Sequence, residues 1–242
     1  MSVTLVGGGF SSETDSAVYG GFLRDAAARA ARRGEDALPV PRIAIITVRE
    51  PDDLTRHAAD LRAALETVGS FTPHVTTIAE GELVDGAALD NVDGIVIGGG
   101  LPPAYLAAVM PLAARIRSLV DDGVPYLGFS AGAMIAPDRA LIGGWRIGGV
   151  EVSPEDGAEE LDEVTIEPGL ALCDVTVDVH AVQWGNLSRL IATVDAGVVD
   201  GGIAIDERTA LVLETGALRA VGAGTVWLVS ASDNGVSVRA VS

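Results

Sequence analysis

Cysteine is nearly absent from this 242-residue chain, in which Cys173 is the only one. A single cysteine cannot form an internal disulfide, and Cys173 has no second cysteine or closely spaced histidine with which to hold a metal. We therefore expect Cys173 to be a buried apolar residue. The sequence predicts no metal and no other cofactor.

Basic residues are also scarce, because 16 Lys and Arg side chains stand against 34 Asp and Glu and give a formal net charge of −18. Such a charge repels phosphate backbones and anionic membrane surfaces. The chain also lacks an apolar run near the roughly 20 residues that span a bilayer, and it does not open with a secretory signal. We expect a soluble cytoplasmic protein that has neither nucleic acid nor a membrane as its partner.

Hydrophobic residues make up 48% of the chain, and they are arranged as alternating strands and helices. Strands are predicted over residues 2–6, 42–48, 74–78, 93–97 and 125–128, helices over residues 16–33, 53–68 and 103–122, and a connecting loop over residues 35–41. This alternation indicates right-handed βαβ crossovers and a mainly parallel, doubly wound sheet with helices on both faces. We expect residues 1–242 to form a single α/β domain.

The pattern changes after residue 142. Residues 153–163 are acidic and predict a solvated surface loop, while residues 175–180 predict a strand that leads toward a helix over residues 186–194. From residue 202 to 241, short strands alternate with Gly and Asp-Asn-Gly turns. This spacing predicts an antiparallel flank at the C-terminal side of the sheet.

One short segment carries the strongest chemical signal. Residues 128–132, Gly-Phe-Ser-Ala-Gly, fit the pattern G-x-S-x-G between an apolar strand and the start of a helix. In a nucleophile elbow the serine occupies a strained turn that exposes its hydroxyl, and small neighbours leave room for that turn. The pattern predicts Ser130 as a nucleophile and the N–H of Ala131 as an oxyanion donor, although an ordinary glycine-containing turn would have the same sequence.

Two glycine runs follow other predicted strands, at residues 7–9 and 98–100. No GxGxxG pattern or Walker lysine accompanies the first run, so we expect close backbone approach there and not a phosphate site. Ligands of parallel α/β sheets bind beyond the carboxyl ends of the strands. Both runs are thus predicted to share one cleft with Ser130.

A serine hydroxyl needs a base, and the chain offers three histidines. His57 lies in an amphipathic helix and His74 at the start of a strand, where structural or solvated roles are the expectation. His180 follows an apolar strand, at the edge where Ser130 is predicted to lie. His180 is therefore the candidate base.

The base in turn needs a carboxylate that fixes its tautomer. Asp206 and Glu207 directly follow an apolar strand, and Asp178 is a nearer alternative in sequence. Its position just after a strand favours Glu207 as the carboxylate partner of His180, and Asp206 and Asp178 remain alternatives.

Three spaced motifs together resemble peptidase family S51, which includes aspartyl dipeptidase (peptidase E) and cyanophycinase. They are Phe-Ser-Ala-Gly-Ala at residues 129–133, Asp-Val-His at 178–180 followed by Gln183 and Arg189-Leu190, and Gly-Ile-Ala-Ile-Asp-Glu-Arg-Thr-Ala at 202–210. The resemblance runs in order through most of the chain and includes both glycine runs. It implies a sheet related to class I glutamine amidotransferases, with serine in place of cysteine at the elbow.

The resemblance also implies functional roles for particular residues. A Ser-His-Glu triad falls on Ser130, His180 and Glu207, and the oxyanion hole falls on the backbone of Ala131 and Gly100. Family members hydrolyse peptide bonds beside acidic residues and are often dimers. A small peptide substrate and a homodimer are accordingly expected.

The chain departs from the family pattern at two places that bear on the substrate. Where the family commonly has Gln-Arg-Gly-Arg, residues 183–186 are Gln-Trp-Gly-Asn, and the middle glycine run continues with Leu-Pro-Pro. Arginine binds carboxylates through two parallel hydrogen bonds, which neither an indole nor an amide reproduces. Specificity for acidic residues is therefore in doubt, and the candidate substrate-binding residues are Gly99, Leu101, Gln183, Trp184 and Asn186.

The sequence thus predicts a serine hydrolase, a peptidase that acts on a small peptide or peptide-like amide through an acyl-enzyme on Ser130. An esterase would share the elbow, but its usual order places the histidine last. A glutamine amidotransferase would need a cysteine at the elbow. A member that has lost catalysis and binds a ligand or partner is the remaining alternative.

Overall fold

The computed structural model describes residues 2–33, 40–214 and 217–241. Most of the predicted connecting loop at residues 35–41 lies outside these ranges. The strands are β1 Ser2–Val6, β2 Arg42–Arg49, β3 Thr72–Ala79, β4 Gly94–Ile97, β5 Tyr126–Phe129, β6 Arg139–Gly143, β7 Arg146–Ile147, β8 Val150–Glu151, β9 Thr165–Pro168, β10 Thr176–Val179, β11 Gly201–Ile205, β12 Thr209–Glu214, β13 Ala217–Gly222, β14 Val226–Ser232 and β15 Gly235–Val241. The α-helices are α1 Asp15–Arg33, α2 Arg56–Glu66, α3 Pro102–Val109, α4 Ala113–Asp121, α5 Ala131–Met134 and α6 Asn186–Asp195.

The main sheet has seven strands in the order β13-β12-β1-β5-β4-β2-β3. The strands from β1 to β3 in that order are parallel, and β12 and β13 extend the sheet in antiparallel fashion beyond β1. The structure confirms the predicted α/β fold and its mainly parallel sheet.

Alternate side chains of the buried strands face two separate apolar layers. In β2, Ile43 and Ile45 pack with side chains of α1 and α2, whereas Ile46 and Val48 pack in the other layer with side chains of α3, α4 and α5. Complete burial of a large aliphatic side chain contributes roughly 1.5–3 kcal/mol. An apolar side chain is needed at nearly every position of β2 because both faces of the sheet are covered.

A second sheet, in the order β10-β11-β14-β15, lies at the C-terminal flank and packs against α6. The predicted antiparallel flank is confirmed, but its strands are divided between the two sheets, and β10 and β11 are parallel. The carboxyl ends of β10 and β11 meet the end of β1, where His180 N–H donates to the Gly7 carbonyl at 3.1 Å. Docking of the second sheet therefore brings His180 to the edge of the main sheet.

The helix predicted over residues 103–122 is wrong as one continuous element. It is broken into α3, a 3₁₀ turn at Met110–Leu112, and α4. Pro111 lies in that turn, where it cannot donate an α-helical hydrogen bond and its ring crowds the preceding turn. In the part of the chain that the structure describes, no helix combines the length and apolar character needed to cross a membrane.

Candidate active site

The elbow at Ser130 has a strained backbone, with φ 51° and ψ −110°. Glycine is required on both sides of it because the chain segments lie very close together. A Cβ at Gly128 would be 2.3 Å from the Gly132 carbonyl oxygen, and a Cβ at Gly132 would be 2.3 Å from that of Ile97. The sequence pattern therefore reflects a steric demand, and the turn presents Ser130 at the end of β5.

Hydrogen bonds hold the turn that follows. The buried Tyr126 hydroxyl donates to the Gly132 carbonyl at 2.7 Å, and Gly132 N–H donates to the Gly98 carbonyl at 3.0 Å. The N–H of Ala131 has no hydrogen-bond partner among the described residues. It is thus free to bind an oxygen beside Ser130.

His180 comes directly after β10 and lies against Ser130. Its Nε2 is 2.9 Å from the Ser130 Oγ. Its ring lies over Gly8, where a Cβ would be 2.1 Å from the His180 Cε1. The predicted close backbone approach at residues 7–9 is therefore an approach to the candidate base.

Glu207 lies on the other side of the imidazole, with its Oε1 2.8 Å from His180 Nδ1. The two alternative acids have other partners. Asp178 makes a two-bond ion pair with the buried Arg189, and Asp206 accepts from the backbone of Thr225 and from other donors. Among the three candidate carboxylates, only Glu207 faces the histidine.

The surroundings of His180 keep its ring neutral and oriented. Burial lowers its pKa below the ordinary value, against the opposing hydrogen bond and charge of Glu207. The indole of Trp184 stacks on the imidazole with ring centroids 3.7 Å apart and planes at 5°. A neutral imidazole that donates from Nδ1 to Glu207 presents the Nε2 lone pair to the serine hydroxyl.

A cavity of about 700 Å³ opens at Ser130. Its lining includes three predicted substrate-binding residues, Gly99, Leu101 and Trp184, and the predicted oxyanion residue Gly100. Its walls also carry eight carboxylates, from Glu50, Asp52, Asp53, Glu80, Glu155, Asp156, Glu159 and Glu160. The acidic segment at residues 153–163 is therefore partly a wall of the cavity and not only a solvated loop.

The cavity is electrostatically unfavourable to an anion. Burial raises the pKa of Glu159 to about 7, and burial followed by the charges of Glu50 and Glu160 raises the pKa of Glu80. Arg49 is the one guanidinium among the lining residues, and it already pairs with Asp53 at 2.8 Å. A substrate carboxylate entering the cavity would meet no free cation in its described lining.

The other two predicted substrate residues lie elsewhere. Gln183 is exposed, and its Oε1 accepts from the backbone N–H of Glu207 at 2.9 Å, so it contacts Glu207 and does not line the cavity. Asn186 does not line the cavity, because its side chain is fully buried and donates to the Val179 carbonyl at 3.0 Å. The first turn of α6 faces inward at this position.

His57, which the sequence predicted to be structural or solvated, lies in the cavity wall. Its Nε2 accepts a hydrogen bond from the N–H of Gly99 at 2.8 Å. Its position in the first turn of α2, just after the carboxyl end of β2, is the signal that could have indicated this place.

Comparisons with known proteins agree with this architecture. Pyridoxal 5'-phosphate synthase subunit PdxT of Kineococcus radiotolerans is 29% identical over 143 residues, which are 57% of this chain and 62% of that protein. The match thus spans less than two thirds of that relative. The crystal structure of a peptidase from an acI-B1 actinobacterium has a TM-score of 0.62 at 18% identity, over 100% of this chain and 96% of that one.

A putative peptidase E protein from Listeria monocytogenes EGD-e has a TM-score of 0.56 at 16% identity, over 92% of this chain and 98% of that one. At these identities the two solved structures show a shared fold. The family model described as Peptidase family S51 matches residues 51–221. Because that match covers well over half of the sequence, the chain belongs to peptidase family S51.

Proposed function

We propose that this protein is a serine peptidase that cleaves a small peptide or peptide-like amide through an acyl-enzyme on Ser130. The observation that carries the proposal is the hydrogen-bonded series from Ser130 through His180 to Glu207, with distances of 2.9 and 2.8 Å. It occurs at a strained elbow that opens into a cavity, in a chain of a peptidase family. Dipeptidase and cyanophycinase-like activities are the candidate types.

The proposed reaction uses each of these residues in a defined role. His180 accepts the Ser130 proton at Nε2 as the oxygen attacks the substrate carbonyl, and Glu207 stabilises the imidazolium that forms. The N–H groups of Ala131 and Gly100 bind the oxyanion. His180 then protonates the leaving amine, and water hydrolyses the acyl-enzyme by the same sequence of proton transfers.

The charge of the cavity bears on the substrate. Eight carboxylates and a paired Arg49 make an acidic side chain beside the scissile bond unfavourable. The indole of Trp184, exposed at 42%, supplies an apolar surface next to His180. We infer that neutral or basic side chains are preferred to aspartate and glutamate.

The test is incubation of the wild-type protein and Ser130→Ala with a mixed peptide library that covers all N-terminal and penultimate residues, read by mass spectrometry. We expect products from the wild type, enriched in neutral or basic residues, and a loss of turnover of roughly 10⁴-fold or more in Ser130→Ala. Ser118→Ala, on the exposed face of α4, is the matched control and should cleave normally. Equal product formation by wild type and Ser130→Ala would overturn the proposal.

The alternatives have less support from the geometry. The chain order Ser130, His180, Glu207 differs from the usual esterase order, and ester turnover without peptide turnover would favour that reading. Cys173 lies outside the cavity lining, and burial raises the pKa of its thiol to about 12, which does not favour a cysteine nucleophile. Homodimer formation stays a prediction from the family resemblance.

A further inference from the structure

The loop at residues 98–100 carries Gly100, the second proposed oxyanion donor, and its first residue is held by backbone bonds. Gly98 N–H donates to the Ile46 carbonyl at 2.9 Å, and its carbonyl accepts from Gly132 N–H at 3.0 Å. A Cβ placed on Gly99 would be 3.0 Å from the Ser130 Cβ, so the loop lies against the nucleophile. These contacts fix Gly98 and hold one end of the peptide plane between Gly98 and Gly99. They leave the Gly99 N–H end of that plane, and the whole plane between Gly99 and Gly100, to be held by other groups.

The carbonyl of Gly99 is held by two side chains. It accepts from the Tyr105 hydroxyl at 2.9 Å and from the Arg49 Nη1 at 3.3 Å. In a trans peptide the following N–H points away from the carbonyl, so this anchoring directs Gly100 N–H to the opposite side. Within the described chain that N–H has no partner, and Gly100 lines the same cavity as Ser130.

The N–H of Gly99 is held by His57, whose Nε2 accepts it at 2.8 Å. This bond requires a neutral ring with its proton on Nδ1, because a protonated ring has no acceptor. Burial and then the Arg49 charge lower the pKa of His57 to about 4. The rings of Phe10 and Phe129 flank the imidazole at 5.9 and 5.5 Å and keep it in place.

We propose that His57 and Tyr105 are positioning residues that hold the two peptide planes of Gly99 so that Gly100 N–H faces the oxyanion formed on a substrate carbonyl. This inference rests on the proposed serine-peptidase function. Neither side chain is assigned a contact with the substrate; both act through the loop. An oxyanion donor is effective only when it is directed at the developing charge before the reaction begins, which explains why both ends of Gly99 are bonded.

The first experiment measures acylation of Ser130 by p-nitrophenyl acetate, from nitrophenolate release and from the mass of the adduct. Ser130→Ala gives the background. We expect Tyr105→Phe and His57→Leu to lower the acylation rate constant about 10- to 100-fold with the KM changed less than about twofold. His57→Gln restores a carbonyl acceptor and should recover most of the rate.

Tyr19→Phe is the matched control, because Tyr19 is buried like Tyr105 and makes no hydrogen bond to residues 98–100 in the described chain. It should acylate at the wild-type rate. If Tyr105 and His57 had only a structural role, their variants would be less stable, but the acylation rate constant would not fall selectively while the KM stays nearly unchanged. An unchanged rate constant in both Tyr105→Phe and His57→Leu, or a change confined to the KM, would overturn the inference and leave the peptidase proposal standing.

The second experiment needs no turnover. In ¹H–¹⁵N spectra, Tyr105→Phe should shift the Gly100 amide resonance, because the carbonyl of the same peptide loses its hydrogen bond, while the Ala131 amide resonance stays in place. An unmoved Gly100 amide would contradict the proposed link between Tyr105 and this donor. Absence of any Ser130-dependent acylation or peptide cleavage in the wild type would instead overturn the proposed function, and with it a catalytic purpose for the loop contacts.

Discussion

Single glycines determine where His180 can lie. Gly8 has φ +96° and passes under the imidazole, while Gly9 is so close to Glu207 that a Cβ would be 2.8 Å from its Oε2. The absence of side chains at these two positions lets His180 and Glu207 approach the end of β1. The glycine run after the first strand therefore serves the geometry of the candidate triad.

Gly8→Ala tests this steric role. The new Cβ would overlap His180 at 2.1 Å, so we expect peptide turnover to fall at least about 100-fold and stability to fall by roughly 1–3 kcal/mol. Gly81→Ala is the control, because Gly81 has a similar φ of +87° and open space around it. Peptide turnover and urea unfolding are measured for both variants, because Gly81→Ala has only the backbone strain and Gly8→Ala has the strain and the clash with His180. Normal turnover by Gly8→Ala would refute this explanation.

The strand β10, the helix α6 and the acidic segment are joined by one buried ion pair. Arg189 and Asp178 are both fully buried, and the guanidinium donates to Asp178 through Nε and Nη2 at 2.9 and 2.7 Å. Its Nη1 also donates to the Gly157 carbonyl at 2.6 Å. Asp178 precedes His180 by two residues, so this pair links the strand that positions His180 to a wall of the cavity.

Removal of one partner should be far more damaging than removal of both. We expect Arg189→Met to cost about 3–5 kcal/mol in the free energy of unfolding, because it leaves the Asp178 charge buried and unpaired. Arg189→Met combined with Asp178→Leu should recover part of that loss. Arg62→Met, in the exposed pair with Glu66, is the control and should cost less than about 1 kcal/mol in urea unfolding. A loss in Arg62→Met as large as that in Arg189→Met would contradict the explanation that burial of the unpaired Asp178 charge causes the loss.

The largely buried imidazole of His57 makes the stability of the protein sensitive to acid. His57 has a folded-state pKa of about 4, below its value of 6.5 in an unfolded chain. The unfolded state therefore binds more protons between these values, and the His57 contribution to stability is lost as the pH falls from 6.5 toward 4. Glu159, with its pKa raised to about 7, has the opposite effect. Its contribution to the stability of the folded protein is lost as the pH rises from 4.5 to 7.

Two variants separate these contributions. Relative to wild type, His57→Gln should gain roughly 3 kcal/mol in unfolding free energy as the pH is lowered from 6.5 to 4. Glu159→Gln should instead gain relative stability as the pH is raised from 4.5 to 7. Chemical denaturation at several pH values measures both slopes, and a pH-independent difference in either variant would show that the group is not perturbed as described.

Features of this protein that depend on neighbouring residues could be predicted from the amino-acid sequence. The alternation of apolar strands with amphipathic helices was sufficient to predict the parallel sheet, and the small residues around Ser130 were sufficient to predict its turn. Local spacing fixes backbone conformation and side-chain periodicity, so such features are visible without coordinates. The prediction of one continuous helix over residues 103–122 was wrong, because it followed the helical spacing of the apolar residues and did not allow for the break at Pro111.

The contacts between side chains that are distant in sequence could not be predicted in this way. Ser130 and His180 are 50 residues apart, His57 and Gly99 are 42 apart, and His180 and Glu207 are 27 apart. Their contacts depend on the order of strands and on docking of the second sheet against β1, which no local pattern encodes. For the same reason Glu207 faces His180 while Asp178 pairs with Arg189, and Asn186, a candidate substrate-binding residue in the sequence, is buried at the start of α6.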